Sequence, residues 1–419
     1  CPDEGPQILG LPVHTLLELC TGILPPTLSK FVSEVEASAV AALAPLPHPG
    51  GRQPPGGHLA VPEPPRLSPA RQKLGPLEGD RDPEVLMSLP SSVPNDLKEM
   101  DIDVAAVAPI TELELDQCMD ELCQGIRPWD SGNFGMVKRL EDALGNRGHV
   151  DMMLRHSPSK EKVAVKRMPN TWVSLGPDDF RDRHPDSPEL PWCDIGFLRS
   201  LNRRGFPNTV DLQGIFCNEE YTYVVASLAT EGDLFSWCAR QASPGQQREV
   251  AMLPIAVQIF SAIRRLHDLG VAHRDISLEN ILLNDPGNGL LQVKIIDFGM
   301  ATLERACRKE VRGKQVYQAP EMHEEAAYDP FLIDSFQLGI VLFAMAAEDF
   351  PWSSTKKCDC KFFEFICKHG FQKFLRKRRL RKEPGELLVD IFSPALAELI
   401  SGLLEMQPQE RLILGEACF

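Results

Sequence analysis

Thirteen prolines fall within residues 45–94, and they set the first limit on what this chain can fold into. Proline fixes φ and lacks an N–H, so neither a helix nor a central strand runs through such a segment. Residues 45–107 read as a disordered, extended linker. Residues 1–103 carry seven basic against fourteen acidic side chains, which suits a solvated tail. Ahead of the prolines, in Thr27–Leu43, the residues Leu28, Phe31, Val32 and Val35 recur at helical spacing. That stretch of 1–44 stays open to three readings: the last helix of an upstream domain, a partner-binding helix, or no stable structure.

The composition changes again near residues 108–122. Beyond it, short β-like runs come first, at Lys162–Met168, Val210–Phe216 and Tyr221–Ala226. Helical patterns follow at Met252–Leu269, Ile333–Ala347 and Ser393–Met406. Strands first and helices later give an α+β chain in two lobes. The longest apolar run, Leu338–Ala347, is about half of the ~20 residues a membrane span needs, so it reads as a core helix.

Three short strings then fix the chemistry. His273–Asn280 reads HRDISLEN, Asp297–Gly299 reads DFG, and Ala319–Glu321 reads APE. Val163–Lys166, reading VAVK, precedes them. This order and spacing resemble the eukaryotic protein-kinase superfamily of Ser/Thr type, over roughly residues 122–419. The insertions and the pairing of HRDISLEN with Gly313-Lys314 also resemble kinases of alveolate protists. The resemblance implies a bilobal kinase fold, with a small β-rich N-lobe (122–228) carrying one regulatory helix and a larger helical C-lobe (229–419). It implies ATP and Mg²⁺ as cofactors, and transfer of the γ-phosphate to Ser/Thr hydroxyls of protein substrates.

The glycine-rich loop runs from Asp130 through Gly132 and Gly135 to Val137, with Asp130 in place of the usual first glycine. Glycines let backbone N–H groups approach phosphate oxygens without a Cβ between them. By the resemblance, Lys166 holds the α- and β-phosphates, and an acidic residue on the helix Trp192–Asn202 pairs with it. The apolar register of Leu198 and Leu201 puts Asp194 there, with Glu189 as rival. Asp is shorter than the usual Glu by about 1.5 Å, so the helix must sit closer. Ser227–Ala229 is the expected hinge, with Ser227 and Ala229 on the adenine edge and Ala226 guarding the back pocket. Asp233 faces the ribose or a basic substrate residue. Val137, Ala164 and Leu282 complete the nucleotide site. Residues 139–150 read as a surface insertion before the turn at Ser157–Lys160.

In-line transfer needs a carboxylate at the hydroxyl, oxygen donors for Mg²⁺ and a cation at the γ-phosphate. The resemblance gives Asp275 the first role and Asn280 and Asp297 the second. The third is displaced. Ser277 stands where the family has lysine, and Lys314 stands where it has threonine, so we expect the cation and the hydroxyl to have exchanged positions. His273 and Phe298 read as packing residues, stacked with Leu198 and Leu212. Asp334 reads as the buried anchor of the catalytic-loop backbone, and Arg411 as the partner of Glu321. The position that usually carries an activating phosphate is Glu310, opposite Arg274. A carboxylate there predicts activity without activation-segment phosphorylation.

A net charge of −15 speaks against nucleic acid as the main partner. Lys373–Lys382 is the exception, with seven basic residues in ten. It reads either as a docking patch or as the solvated face of a helix that buries Phe374 and Leu375. The twelve cysteines are scattered without paired CxxC spacing, which fits reduced thiols in the cytoplasm or nucleus. No secretory signal or membrane span is read from the sequence, and its end after Arg411 reads as abrupt. The competing functional reading is a nucleotide-binding pseudokinase, favoured by Asp130, Asp194 and Ser277.

Overall fold

The computed structural model describes residues 7–8, 11–12, 26–43, 108–143, 148–381 and 385–415. The segment read as a linker, 45–107, lies outside the described residues. Two lobes are present, as the α+β pattern predicts.

The small lobe is a six-stranded sheet. Its five longer strands are β1 (Phe134–Ala143), β2 (Gly148–Arg155), β3 (Glu161–Pro169), β4 (Leu212–Cys217) and β5 (Tyr221–Ser227). They lie in the order β4-β5-β3-β2-β1, and a two-residue strand, Arg127–Pro128, pairs with β4. The period of two sorts the side chains of β3. Val163 and Val165 turn to one face and pack with Phe134, Tyr223 and Val225. Ala164 and Lys166 turn to the other, towards the cleft. Trp129 closes the first face, stacked on Phe134 at 4.4 Å and on Tyr223 at 4.0 Å.

The expected insertion at 139–150 is not one. Phe134–Ala143 and Gly148–Arg155 pair in register along one long hairpin, from Phe134 with Arg155 to Ala143 with Gly148. Two register shifts, at Met136/Lys138 and Arg139/Glu141, lengthen β1 and hid the strand pattern in the sequence.

Two helices serve the small lobe: α2 (Glu112–Gln124), and α3 (Pro191–Arg203), which spans the predicted Trp192–Asn202. The described residues of this part of the chain begin at residue 108. Thr111 caps α2, its hydroxyl accepting from Glu114 N at 3.2 Å.

The large lobe is built on α4 (Gln246–Asp268), α5 (Pro330–Ala347) and α7 (Pro394–Leu403), with α6 (Lys361–His369) at its edge. β6 (Ile281–Asn284) and β7 (Gln292–Ile295) lie at the cleft. α5 is buried on all sides and apolar apart from Asp334, Ser335 and Gln337. By length and mean hydropathy, 1.7, it would cross a membrane, but 94% of it is buried within the protein.

The N-terminal helical pattern forms α1 (Pro26–Leu43), which packs on α4 and α7 of the same chain. Leu28, Phe31, Val32 and Val35 all turn inward and are buried. Each such burial is worth roughly 1.5–3 kcal/mol. The Glu34 carboxylate accepts from Ala395 N at 3.1 Å, where the N-terminus of α7 favours an anion. None of the three readings left open for this stretch had it docked on its own C-lobe.

Candidate active site

The catalytic loop is held from beneath by one face of α5. The Asp334 carboxylate, fully buried, accepts from His273 N and Arg274 N, both at 2.7 Å. One turn on, Gln337 Oε1 accepts from Ile276 N at 2.8 Å, and its amide donates to Arg274 O at 2.9 Å. Residues i and i+3 of a helix share a face, so these two side chains grip one stretch of backbone. Asp334 was expected there; Gln337 was not, although its spacing from Asp334 is the signal. Tyr317 adds a hydroxyl that accepts from Leu278 N at 3.2 Å.

The loop presents Asp275 and Asn280 together. The Asn280 amide donates to Asp275 O and Asp275 Oδ2, both at 2.8 Å. Its nitrogen is thereby anchored, and its Oδ1 remains the oxygen donor. Asp297 has φ 67° and ψ 69°, a left-handed conformation unusual for a non-glycine residue. Burial alone would raise its carboxyl, but Lys166, His273 and Lys314 hold it below its ordinary value. An ionised Asp297 and Asn280 Oδ1 are hard-oxygen donors of the kind Mg²⁺ takes. Burial pushes the Asp275 carboxyl up, with Lys314 opposing and Asp297 assisting.

Lys166 donates to Asp194 Oδ2 at 2.9 Å. The other Asp194 oxygen accepts from Phe298 N at 2.9 Å. The shorter acid thus ties β3, α3 and the Asp297–Gly299 turn in one step. Burial would lower the Lys166 ammonium, but Asp194, Asp297 and Glu189 together hold it well above its usual range. Glu189 does not bond the lysine. It lies over Gly299, its Cγ 3.2 Å from where a Cβ would be, and Leu190 N donates to Gly299 O at 2.9 Å. The His273 and Phe298 rings are 5.0 Å apart. Phe197 also brings a ring to 6.3 Å from Phe298.

Lys314 meets Ser277 where the sequence placed them. Lys314 Nζ donates to Ser277 Oγ at 2.6 Å and lies 3.2 Å from Glu279 Oε2. Lys314 N donates to Asp275 Oδ1 at 3.2 Å. Gly313 makes this approach possible. Its φ is +77°, and a Cβ there would fall 2.9 Å from Arg274 O. The Lys314 ammonium also pairs with the Glu279 carboxylate.

Asp130 Oδ1 accepts from Gly132 N at 2.9 Å, and the register from Gly135 through Leu154 to Lys162 puts this expected phosphate loop at the end of the sheet away from Lys166, which instead pairs with Val150 beside the 143–148 turn. Gly135 pairs with Leu154, and Val137 stands 47% exposed at a register shift of β1. Ala164 lies opposite Ala226, which Leu212 flanks from the other side. Ser227 N donates to Asp211 O at 2.9 Å, with Leu228 and Ala229 following. Leu282 lies opposite Asp233 across a short ladder. One Asp233 oxygen caps the next helix, accepting from Ser236 N at 2.6 Å.

The activation segment is braced by two ion pairs. Arg274 Nη1 lies 2.9 Å from Glu310 Oε2, and Arg274 Nε donates to Met300 O at 2.6 Å. Arg411 forks onto Glu321 with both terminal nitrogens, the longer bond 3.0 Å.

The sequence is also similar to those of known proteins. The family profile for the protein kinase domain matches residues 144–418, beginning inside the first hairpin. CBL-interacting protein kinase 4 of Oryza sativa subsp. japonica is 29% identical over 222 residues, which is 51% of this chain and 44% of that protein. Testis-specific serine/threonine-protein kinase 5 of Mus musculus is 31% identical over 216 residues, 50% of this chain and 52% of that protein. Serine/threonine-protein kinase chk1 of Schizosaccharomyces pombe is 31% identical over 213 residues, 49% and 38% of the two chains. The matched span covers about half the length of these relatives or less.

Proposed function

Because this chain belongs to the protein kinase domain family, we propose that it transfers the γ-phosphate of ATP to Ser/Thr hydroxyls of proteins, with Mg²⁺. The observation that carries the reading is the convergence of Lys166, Asp275, Asn280, Asp297 and Lys314 on one cleft between the lobes. Asp275, held by Asn280 and by Lys314 N, orients the acceptor hydroxyl and takes its proton. Asn280 and Asp297 hold the metal, which supplies charge neutralisation at the phosphates. Lys166, fixed by Asp194, positions the α- and β-phosphates. Lys314 supplies the cation near the transferring group that the family lysine would bring from position 277. Ser227 and Ala229 offer backbone groups to the adenine, while Val137, Ala164 and Leu282 enclose it.

Protein is the substrate class that fits the Glu321–Arg411 brace beneath the activation segment. The basic segment is assigned to docking of an acidic partner. Phe374 and Leu375 are buried and Arg378 pairs with Asp349 at 2.7 Å, while Lys373, Arg376 and Lys377 remain exposed. We place the protein in the cytoplasm or nucleus, where thiols such as Cys358 and Cys367 stay reduced.

The competing reading is a pseudokinase, for which Asp194 and Ser277 speak as departures from the family pattern. The full chain, incubated with labelled ATP, Mg²⁺ and a generic basic protein, decides between them. Transfer that disappears in Asp275→Asn, and on chelation of the metal, is the expected result. ATP binding without transfer would replace the kinase reading with the pseudokinase.

A further inference from the structure

α2 lies outside the residues that match the family, yet it packs along α3, the helix that carries Asp194. The contact is close. A Cβ placed on Gly196 would fall 2.8 Å from Met119 Cγ and 3.1 Å from Leu115 Cδ1. The Glu114 carboxylate accepts from Ser200 Oγ at 2.6 Å and from Arg204 Nε at 3.1 Å, and it also pairs with Arg204 Nη2. Arg203 reaches back to Glu121 and to Cys118 Sγ.

The lower end of the same segment is fastened to the other lobe. Ile110 N donates to Leu269 O at 2.8 Å, and Pro109 lies 3.5 Å from where a Cβ of Gly270 would be. Arg204 donates to Ala108 O. Leu269 is four residues ahead of His273, so the segment links α3 to the turn that enters the catalytic loop.

We propose that residues 108–124 are a built-in clamp that sets the position of α3, with Glu114, Met119 and Gly196 as positioning residues for the Lys166–Asp194 pair. The inference rests on the kinase reading. Its physical need follows from Asp194. An aspartate is about 1.5 Å shorter than a glutamate, so the pair with Lys166 has less slack and α3 must be held near β3. Gly196 is two residues from Asp194, and only a residue without a side chain admits Met119 at this distance. A displacement of about 1 Å takes a 2.9 Å bond out of hydrogen-bonding range, and misplacement on that scale costs up to about a hundredfold in rate.

The test uses the full chain. Cys118 is fully buried, so its alkylation, located by mass spectrometry, reports α2 leaving α3. Leu115→Ala, Met119→Ala and Met119→Asp form a series of increasing disruption. The expected result is faster labelling of Cys118 along the series, with KM for ATP rising and kcat/KM falling about tenfold or more in step. Faster labelling with unchanged ATP kinetics would reduce α2 to a cover, and unchanged labelling in Met119→Asp would deny the contact; either overturns the clamp.

A size swap guards against simple misfolding. Gly196→Val should lose ATP affinity, and Met119→Ala in the same chain should restore much of it; no restoration overturns the proposal. Affinity for a fluorescent ATP analogue is measured beside transfer. A wild type that binds but does not transfer would sink the kinase reading, while the clamp would still be judged by binding.

Discussion

The Lys314 ammonium donates to the Ser277 hydroxyl across 2.6 Å, joining the activation segment to the catalytic loop two residues past Asp275. The cation and the hydroxyl are both present, with their positions in the chain exchanged. Lys314→Ala should therefore lower kcat by about a hundredfold, the usual cost of removing one stabilising group from the transferring oxygens. Ser277→Lys combined with Lys314→Thr should recover most of it. Steady-state transfer to one peptide measures both, and a full rate in Lys314→Ala would remove Lys314 from the mechanism.

Arg274 is nearly buried and finds its anion in Glu310 at 2.9 Å, with Arg312 3.2 Å from the same oxygen. The carboxylate stands where an activating phosphate would be needed, so enzyme treated with phosphatase should keep its rate. Glu310→Ala should lose about tenfold, because an uncompensated guanidinium beside Met300 loosens the segment that carries Lys314. An enzyme that phosphatase silences would show that the carboxylate is not sufficient.

Much of this site was legible because its chemistry sits in short strings. Asp275, Asn280, Asp297, Lys166 and the Ser277–Lys314 exchange are named by motif and spacing, and the structure brings them together. Asp194 was readable through the apolar register of α3, which fixes which side of the helix faces β3. What escaped depends on contacts between distant segments. Gln337 is one turn from Asp334, but nothing in a sequence says which backbone a glutamine will hold. α1 announced its helical period and not its partner. α2 carried a signal that went unread: Thr111 and Glu114 have the spacing of a capping box, which marks a helix start. In the structure Glu114 turns to Ser200 and Arg204, so the same residue that would close the cap holds α3. The supposed insertion at 139–150 failed for a related reason, since the register shifts in β1 break the strict alternation by which strands are recognised.

Ala226 lies between Ala164 and Leu212, so two small side chains face each other across β3 and β5 at the back of the cleft. ATP-competitive inhibitors with a bulky substituent aimed past the hinge should bind the native protein at least tenfold more tightly than Ala226→Met. The native residue leaves room that methionine fills, and overpacking a fitted site costs about 1–3 kcal/mol. Equal inhibition of the two proteins would mean that residues 227–229 are not the hinge.

The clamp has an acid limit whose sign follows from Glu114. Hydrogen bonding from Arg204 is the largest influence on its carboxyl and holds it below the ordinary carboxylate range, with Ser200 and Arg203 adding to the effect and burial opposing it. A depressed carboxyl stabilises the folded protein when ionised. That stability is fully present above the ordinary carboxylate range and is lost as pH falls through the lowered value. Glu114→Gln keeps the shape and removes the charge, at a cost of about 1 kcal/mol for a partly exposed charged hydrogen bond. At neutral pH the variant should melt about 2 °C below the wild type, the shift expected for a protein of this size. The gap should close as the pH is lowered below the carboxylate range, because the wild type then loses the same charge. Thermal unfolding of both proteins across this range checks the sign, and a gap that stays constant into acid would show that Glu114 does not hold α3 through its charge.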